Sequence, residues 1–371
     1  MPTKKHALIT GGAGFIGSHT ADALKKKGFK VTILDNLQSE VHAGKWPNYI
    51  KNKGYTLIKG DVRKRADFLK ALKGVSVVFH LAAYQDQRLD FSHFFDVNTT
   101  STALLYELIV EHNLPVKKVV VASSQFVYGD GMYQCAHGKH DSFYPELRPL
   151  SQFKKKDFDI KCLHGKTAKF TPFREDQPVT PTNSYGLSKR ALESLALRLG
   201  KTYNIPTTSV RYSIVQGARQ SPRNLYSGAL RIFVSQALAG LPITVYEDGQ
   251  QTRDFVNVHD VVAANLLAMT NKKADFQIFN VGGGKAVPVI DFAKTVVKIT
   301  GSNSVVRCGA FRRTDTRHAV SDIAKLKRLG WKPKNGIEDS IAEYAAWLKE
   351  EGFDKELDIK GLKNVAKGIQ K

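Results

Sequence analysis

Three residue types in one spacing carry the first sign of chemistry. Tyr185 and Lys189 stand four apart in NSYGLSKRALESLALRLGKTYN (183–204), a run whose pattern predicts one long helix, so their side chains share a face. An ammonium beside a phenol favours the phenolate and draws the tyrosine toward neutral pKa, which makes Tyr185 a candidate general base. Ser124 ends the apolar run VVVASS (119–124), a strand expected to stop at the carboxyl edge of a sheet, where ligands of α/β folds bind. From there its hydroxyl can hold the same substrate hydroxyl that Tyr185 deprotonates. A tyrosine and a lysine at this spacing usually mark only a helix surface. What reverses that reading lies upstream.

TGGAGFIGS (10–18) directly follows a first strand and opens a first helix. Gly11 permits the tight turn, Gly14 lets backbone approach a pyrophosphate, and Gly17 allows close helix-to-strand packing. The helix N-terminus then offers N–H donors to an anion. Asp35 closes KVTILD, where a carboxylate accepts hydrogen bonds from adenosine ribose hydroxyls and repels a 2′-phosphate. That combination favours NAD over NADP. Asp61-Val62 and Leu81-Ala82-Ala83 follow two further strands and fall on the same carboxyl edge.

The elements that must position these groups alternate regularly. Strands are expected at 6–10, 30–34, 55–59, 75–81, 117–123 and 207–212, with helices at 15–28, 95–113 and 183–204. After Tyr212 the texture shifts to Gly-, Gln- and Arg-rich loops between shorter helices. The 371 residues include no apolar run long enough to span a bilayer, and Met1-Pro-Thr-Lys-Lys shows no signal-peptide pattern. Three cysteines do not suggest a disulfide scaffold, so a reducing cytoplasm is expected. The net charge of +22 is compatible with polyanions, but the lysines are scattered and lack an arginine–aromatic stripe. A solvated basic surface is therefore favoured over a nucleic-acid face.

Taken together, TGGAGFIG, HLAA, VNTT, the Ser124 segment and SYGLSK resemble the extended short-chain dehydrogenase/reductase family, over His6 to about Trp347. Within it they resemble the NAD-dependent nucleotide-sugar epimerases and dehydratases. HLAAYQDQ and RYSIVQGARQSPRNLYSGALRIF are most similar to the dTDP-L-rhamnose 4-epimerase and UDP-glucose 4-epimerase-like branch. The resemblance implies an α/β fold: a Rossmann doubly wound parallel sheet with a smaller C-terminal α/β lobe that grips a nucleoside diphosphate sugar. Residues 1–212 would form the NAD-binding domain with an insert at 130–182. Residues 213–350 would form the interleaved substrate lobe, and 351–371 a basic tail.

By matching motifs, Ser124, Tyr185 and Lys189 become catalytic and Asn98 a support near the cofactor. Phe15, Ile16 and Asn36 join the NAD set, and Gln85 joins the substrate set. Arg253 and Arg312 match arginines that clamp phosphate through a forked guanidinium. One departure stands out: Arg-Tyr-Phe-Asn of many relatives, whose Asn touches the substrate, reads Arg211-Tyr212-Ser213-Ile214 here, so the usual diphosphate contact is not carried over, and Ser213 joins the substrate set.

A second departure selects the reaction. Dehydratase and decarboxylating relatives place an acid two residues before the Tyr of Val-Tyr-Gly, where this chain has Phe126, which takes no proton. The preceding position, a proton donor in 4,6-dehydratases, is the neutral amide Gln125. The parts for oxidising C4 remain and those for elimination do not. The expected activity is a 4-epimerase that oxidises sugar C4 transiently and returns hydride to the opposite face. Within the family the alternative is a dehydrogenase, reductase or dehydratase. Outside it, the alternative is an NAD-bound regulator or RNA-binding protein on the same scaffold.

Two matters remain at the level of expectation. Cys135, His137, Cys162 and His164 form two Cys-x-His-Gly pieces within the insert, and two cysteines with two histidines can close a structural zinc site. Helices 97–112 and 183–204 carry apolar residues beyond one stripe, which suggests a partner face and a homodimer.

Overall fold

The computed structural model describes residues 5–85, 89–135, 142–223, 228–313 and 315–366. Seven parallel strands form the central sheet: β1 His6–Thr10, β2 Lys30–Asp35, β3 Thr56–Lys59, β4 Val77–His80, β5 Lys118–Ser124, β6 Thr207–Tyr212 and β7 Gln277–Val281. Their spatial order is β7-β6-β5-β4-β1-β2-β3. The doubly wound parallel sheet read from the sequence is therefore present.

Alternation along β1 explains the layering. Ala7 and Ile9 face one core with Ala21 and Leu24 of helix α1 (Phe15–Lys26). Leu8 faces the other, with Phe68 and Leu72 of a helix at Arg65–Leu72, Leu105 and Leu108 of α2 (Ser101–Glu111), and Leu192 and Ala196 of α3 (Ser184–Thr202). Period-two strands sandwiched by helices leave both faces dry, as a parallel sheet requires.

Two expectations changed in detail. The helix expected over 95–113 is interrupted by a π-helical turn at Asp96–Thr100 before α2 begins. This wider turn places Asn98 inside the fold, where Oδ1 accepts from Tyr84 N at 2.8 Å and Nδ2 donates to Ser188 Oγ at 2.9 Å. In addition, β7 was not foreseen as a strand. It follows a helix at Val258–Thr270, and both pack on the main sheet although they come after the shift in texture at Tyr212.

The remaining chain after Tyr212 is largely a smaller unit. Helices at Ala229–Leu238, Val289–Thr300 and Ile337–Glu350 enclose Phe233, Phe292 and Trp347 beside the parallel pair Ile243–Tyr246 and Val306–Ala310. The insert forms its own three-stranded antiparallel sheet of two-residue strands, with Tyr133–Gln134 in the middle. Its attachment to the smaller unit combines aromatic packing, as of Phe153 on Phe311, with buried ion pairs. Arg317 donates to Asp159 of the insert at 2.9 Å and to Glu247 at 2.9 Å, while Arg148 of the insert reaches Glu247 at 2.8 Å.

A second buried pair locks α3 to the sheet. Glu193 accepts from Arg211 Nε at 3.0 Å, Arg211 Nη2 at 2.5 Å and Ser209 Oγ at 2.9 Å. Arg211 also donates to Tyr128 Oη at 2.7 Å. Both members are almost fully buried, so removing one strands the other's charge at a cost of ~3–5 kcal/mol. We predict that Glu193→Ala loses about that much in urea unfolding, and that Glu193→Leu with Arg211→Met recovers most of it. Equal stabilities of Glu193→Ala and wild type would refute the pair's role.

Candidate active site

Position starts with the end of β5. Ser124 caps a short 3₁₀ turn at Gln125–Tyr128, its Oγ accepting from Phe126 N at 3.2 Å. The start of α3 packs directly on this turn, and Gly186 makes that possible: a Cβ there would lie 2.5 Å from the Phe126 carbonyl oxygen. Asn183 caps the helix by accepting from Gly186 N at 2.8 Å. These contacts bring Tyr185 within hydrogen-bonding reach of Ser124. Lys189, one turn on, donates to Ala122 O at 2.8 Å and sits 5.8 Å from the Tyr185 ring centre.

Burial governs the protonation of this pair. It pushes the Tyr185 phenol up to about 12, against a smaller lowering by Ser124. The same burial pulls Lys189 down to about 7. The sequence suggests a tyrosine already drawn toward neutrality by its lysine. In the protein alone, desolvation of both groups outweighs that attraction, so a phenolate needs Lys189 charged and further positive charge nearby. Beneath Lys189 lies His80, wholly buried and pushed down to about 3 by burial and by the Lys189 charge, its ring bonded to Thr10 Oγ1 at 2.9 Å and Ser101 Oγ at 3.2 Å. A neutral imidazole adds no competing charge to the lysine.

Tyr185, Lys189, Ala122 and Ser123 close one side of a cavity of about 480 Å³ along the carboxyl ends of the strands. Gly11, Gly14, Phe15, Ile16 and Gly17 form another side. Asp35 and Asn36 line it after β2, Asp61 and Val62 after β3, and Leu81, Ala82, Ala83 and Gln85 after β4. Asn98 lies behind the wall, holding the Tyr84 backbone and Ser188, whose hydroxyl donates to Tyr185 O at 2.8 Å.

The residues fit a dinucleotide. Gly17 cannot be replaced without collision, since its Cβ would lie 2.3 Å from Gly11 O, so the α1 N-terminus sits tight against the turn at the cavity wall, where a helix start suits an anion. Asp35 is buried and raised by burial, yet its oxygens accept from Ala13 N at 3.0 Å and Leu37 N at 2.9 Å, and each keeps a lone pair for a ribose hydroxyl. Ser123 Oγ is buried and finds no partner among the described residues. Composition alone gave no reason to pick Ser123, His42, Arg63 or His93, which also line the cavity. Ser123 and Arg63 are marked only by lying at or near strand ends, while His42 and His93 sit in the short helices Ser39–His42 and Phe91–Phe95 and carry no such signal.

Other expected residues lie apart from this cavity. Phe126 is partly exposed and packs edge-on against Tyr185, with ring centres 5.9 Å apart, while Gln125 is buried. Ser213 donates to Asp254 Oδ2 at 2.7 Å and contacts Ser321 Oγ at 2.8 Å, so its hydroxyl is engaged within the fold. Arg253 donates to the carbonyls of Thr252 at 2.9 Å and Arg317 at 3.2 Å. The Arg312 guanidinium lies 4.8 Å over the Tyr246 ring.

The zinc expectation needs correction. His137 lies outside the described residues. Cys135 and Cys162 are buried with sulfurs 2.9 Å apart, whereas two thiolates on one tetrahedral zinc, at Zn–S of about 2.3 Å, stand ~3.8 Å apart. His164 is exposed, and among the described residues no group of three or more His, Cys, Asp or Glu is placed to hold a metal ion. The described residues therefore do not support a structural zinc.

Comparison with known proteins agrees with this geometry. The model of the NAD dependent epimerase/dehydratase family matches residues 7–155 and 161–282. A dTDP-L-rhamnose 4-epimerase of Burkholderia thailandensis is 31% identical over 354 residues, covering 94% of this chain and 96% of its own length. Two solved structures, each 28% identical with a TM-score of 0.74, cover 93% of this chain and 99% of their own. They are the UDP-glucose 4-epimerase of Thermotoga maritima with UDP-glucose and that of Thermus thermophilus with NAD. The family model spans well over half of the chain, and the chain belongs to the NAD-dependent epimerase/dehydratase family.

Proposed function

We propose that this protein is an NAD-dependent nucleotide-sugar 4-epimerase acting on a dTDP-L-rhamnose or UDP-hexose type of substrate. The observation that carries the reading is Tyr185 beside Ser124, with Lys189 behind it, at the wall of a dinucleotide-sized cavity whose neighbouring acid position is Phe126. Bound NAD supplies an acceptor that takes hydrogen with two electrons from sugar C4 and gives it back. The Gly11–Gly17 turn and Asp35 hold that cofactor, and Asp35 sets the preference for a ribose with a free 2′-hydroxyl.

Ser124 orients the C4 hydroxyl, and Tyr185 Oη takes its proton as C4 becomes a ketone. Tyr185 returns the proton to the C4 oxygen after the ketone has turned. Lys189 stabilises the phenolate between those events. Phe126 presents an apolar edge where elimination would need a carboxylate, so C5 keeps its hydrogen. Arg253, Arg312 and Ser213 belong to the surface over which the diphosphate lies, and Gln85, Gln125 and Phe126 to the sugar side. Residues 1–212 act as the cofactor domain and 213–350 as the interleaved substrate lobe. The sparse cysteines support a cytoplasmic home. Leu89 at 82% exposure, Phe91 at 55% and Leu187 at 44% leave an apolar face near α3 suited to a second copy, so a homodimer is expected in sedimentation velocity.

Proton NMR in heavy water with NAD tests the reaction. Inversion at C4 without deuterium entering the sugar is expected, with dTDP-L-rhamnose and UDP-glucose compared for rate; deuterium at C5 or loss of water would overturn it. Tyr185→Phe should lower kcat by roughly 10²–10⁴-fold and leave NAD binding unchanged.

Lys189→Met separates chemistry from stability. The folded lysine titrates near 7 and the unfolded one at 10.5, so wild type loses stability as pH falls from 10.5 to 7 while the unfolded chain takes up the proton. The variant has no such group. It should be inactive yet more stable at pH 7 by ~2 kcal/mol after losing the Ala122 bond, with the gap shrinking toward pH 10. Equal pH dependence of the two proteins in chemical denaturation would sink this account.

A further inference from the structure

The sheet topology gathers charge at the pole opposite the cavity. All seven strands are parallel, so their amino ends share one edge, and the helices that precede them end there too. Exposed Lys5 enters β1. Lys26, Lys27 and Lys30, all exposed, stand between α1 and β2. Lys73 precedes β4 and Lys117 precedes β5, both exposed. Lys201 ends α3 ahead of β6, and Lys272 with Lys273 leads into β7.

Acids are missing from the same segments. Residues 27–29, 73–76, 112–117 and 203–206 contain none. Residues 271–276 hold Asp275 alone, which pairs with Lys118. Before β3, Lys53 is neutralised by Asp22 and is not part of the set. Among the described residues none of the exposed lysines named above is engaged in an ion pair. A protein with excess lysine spread evenly would mix both signs here, as it does at the carboxyl edge, where Asp35 and Asp61 line the cavity.

We propose that this pole docks on an anionic lipid surface, as a peripheral contact and not a span. The shape favours a planar partner. Seven strands about 4.8 Å apart make an edge roughly 30 Å wide, and the lysines beside the strand starts are spread along it. The charges are lysine ammonium groups with no arginine in these segments, and Tyr203 is an isolated exposed aromatic among them, which suits a diffuse field over a headgroup layer better than a run of bases each needing its own stacking partner. Docked this way, the cavity at the opposite edge stays open to solvent. The inference rests on the fold and charge and does not depend on which sugar the enzyme uses.

The test is co-sedimentation of the full chain with vesicles of phosphatidylcholine alone and of phosphatidylcholine mixed with phosphatidylglycerol. Binding to the mixed vesicles only, weakening as salt rises, is expected. Lys26→Gln, Lys27→Gln, Lys272→Gln and Lys273→Gln combined should reduce partitioning at least tenfold, since each lysine near the surface is worth about fivefold. A control with Lys154→Gln, Lys155→Gln, Lys156→Gln and Lys169→Gln removes equal charge from the exposed insert and should bind as wild type. Equal loss in both variants would reduce the effect to net charge and overturn the pole. No binding to mixed vesicles, or tighter binding to a single-stranded RNA oligomer that the first variant abolishes, would overturn the lipid assignment.

Discussion

The buried pair of Arg211 and Glu193 is the joint on which the site hangs. Glu193 lies four residues beyond Lys189 and eight beyond Tyr185, so all three share one stripe of α3. Clamping that stripe to β6 fixes the helix along its axis as well as against the sheet. Arg211 reaches on to Tyr128, whose hydroxyl donates to Asn280 of β7 at 2.8 Å and whose ring stacks on Phe173. One guanidinium therefore holds the helix that carries Tyr185, the turn that follows Ser124, and the last strand of the sheet. A slip of the helix by one turn would move Tyr185 about 5.4 Å from Ser124. Charge pairs this deep add little net stability against an apolar replacement, so their contribution here is register.

The same logic orders the two halves of the molecule. Insert and smaller unit meet through Arg317, Arg148, Glu247 and Asp159, most of them buried. Directional bonds of this kind set one relative placement where apolar packing alone would tolerate several. Expected substrate residues Arg253 and Arg312 sit next to this network, and Arg253 donates to the Arg317 carbonyl. The surface over which a diphosphate would lie is thus held by contacts made far from it in sequence.

Legibility followed range. Strands β1 to β6 read well because each is a short apolar run bounded by turn residues, and the glycine turn, Asp35, Tyr185 and Lys189 announce themselves within a few positions. β7 did not, since QIFNV carries no signal of its own until the chain's return across the sheet gives it a neighbour in β6. Asn98 was found by motif, but the π turn that aims it inward leaves no mark in the periodicity. Glu193 and Arg211 looked like ordinary helix and strand residues, because nothing in either segment reports that the other is opposite. Zinc is not supported for a related reason: two Cys-x-His pieces suggest ligands, while Cys135 and Cys162 pack in a cluster with Tyr133, Ile160 and Ala168 that neither piece announces.

Burial links these observations to the chemistry. Lys189 is buried and Tyr185 partly so, and desolvation drives each toward its neutral form, the phenol up and the amine down. In that state the base is unarmed. A cationic ring brought to the same dry space shifts the balance, because at low dielectric each added charge acts strongly on its neighbours. His80 stays neutral and Asp35 lies at the other end of the cavity, so neither cancels it. The dry pocket that costs the free protein stability at Lys189 is the condition under which cofactor binding can switch the tyrosine into a base, which couples proton removal to the presence of the hydrogen acceptor.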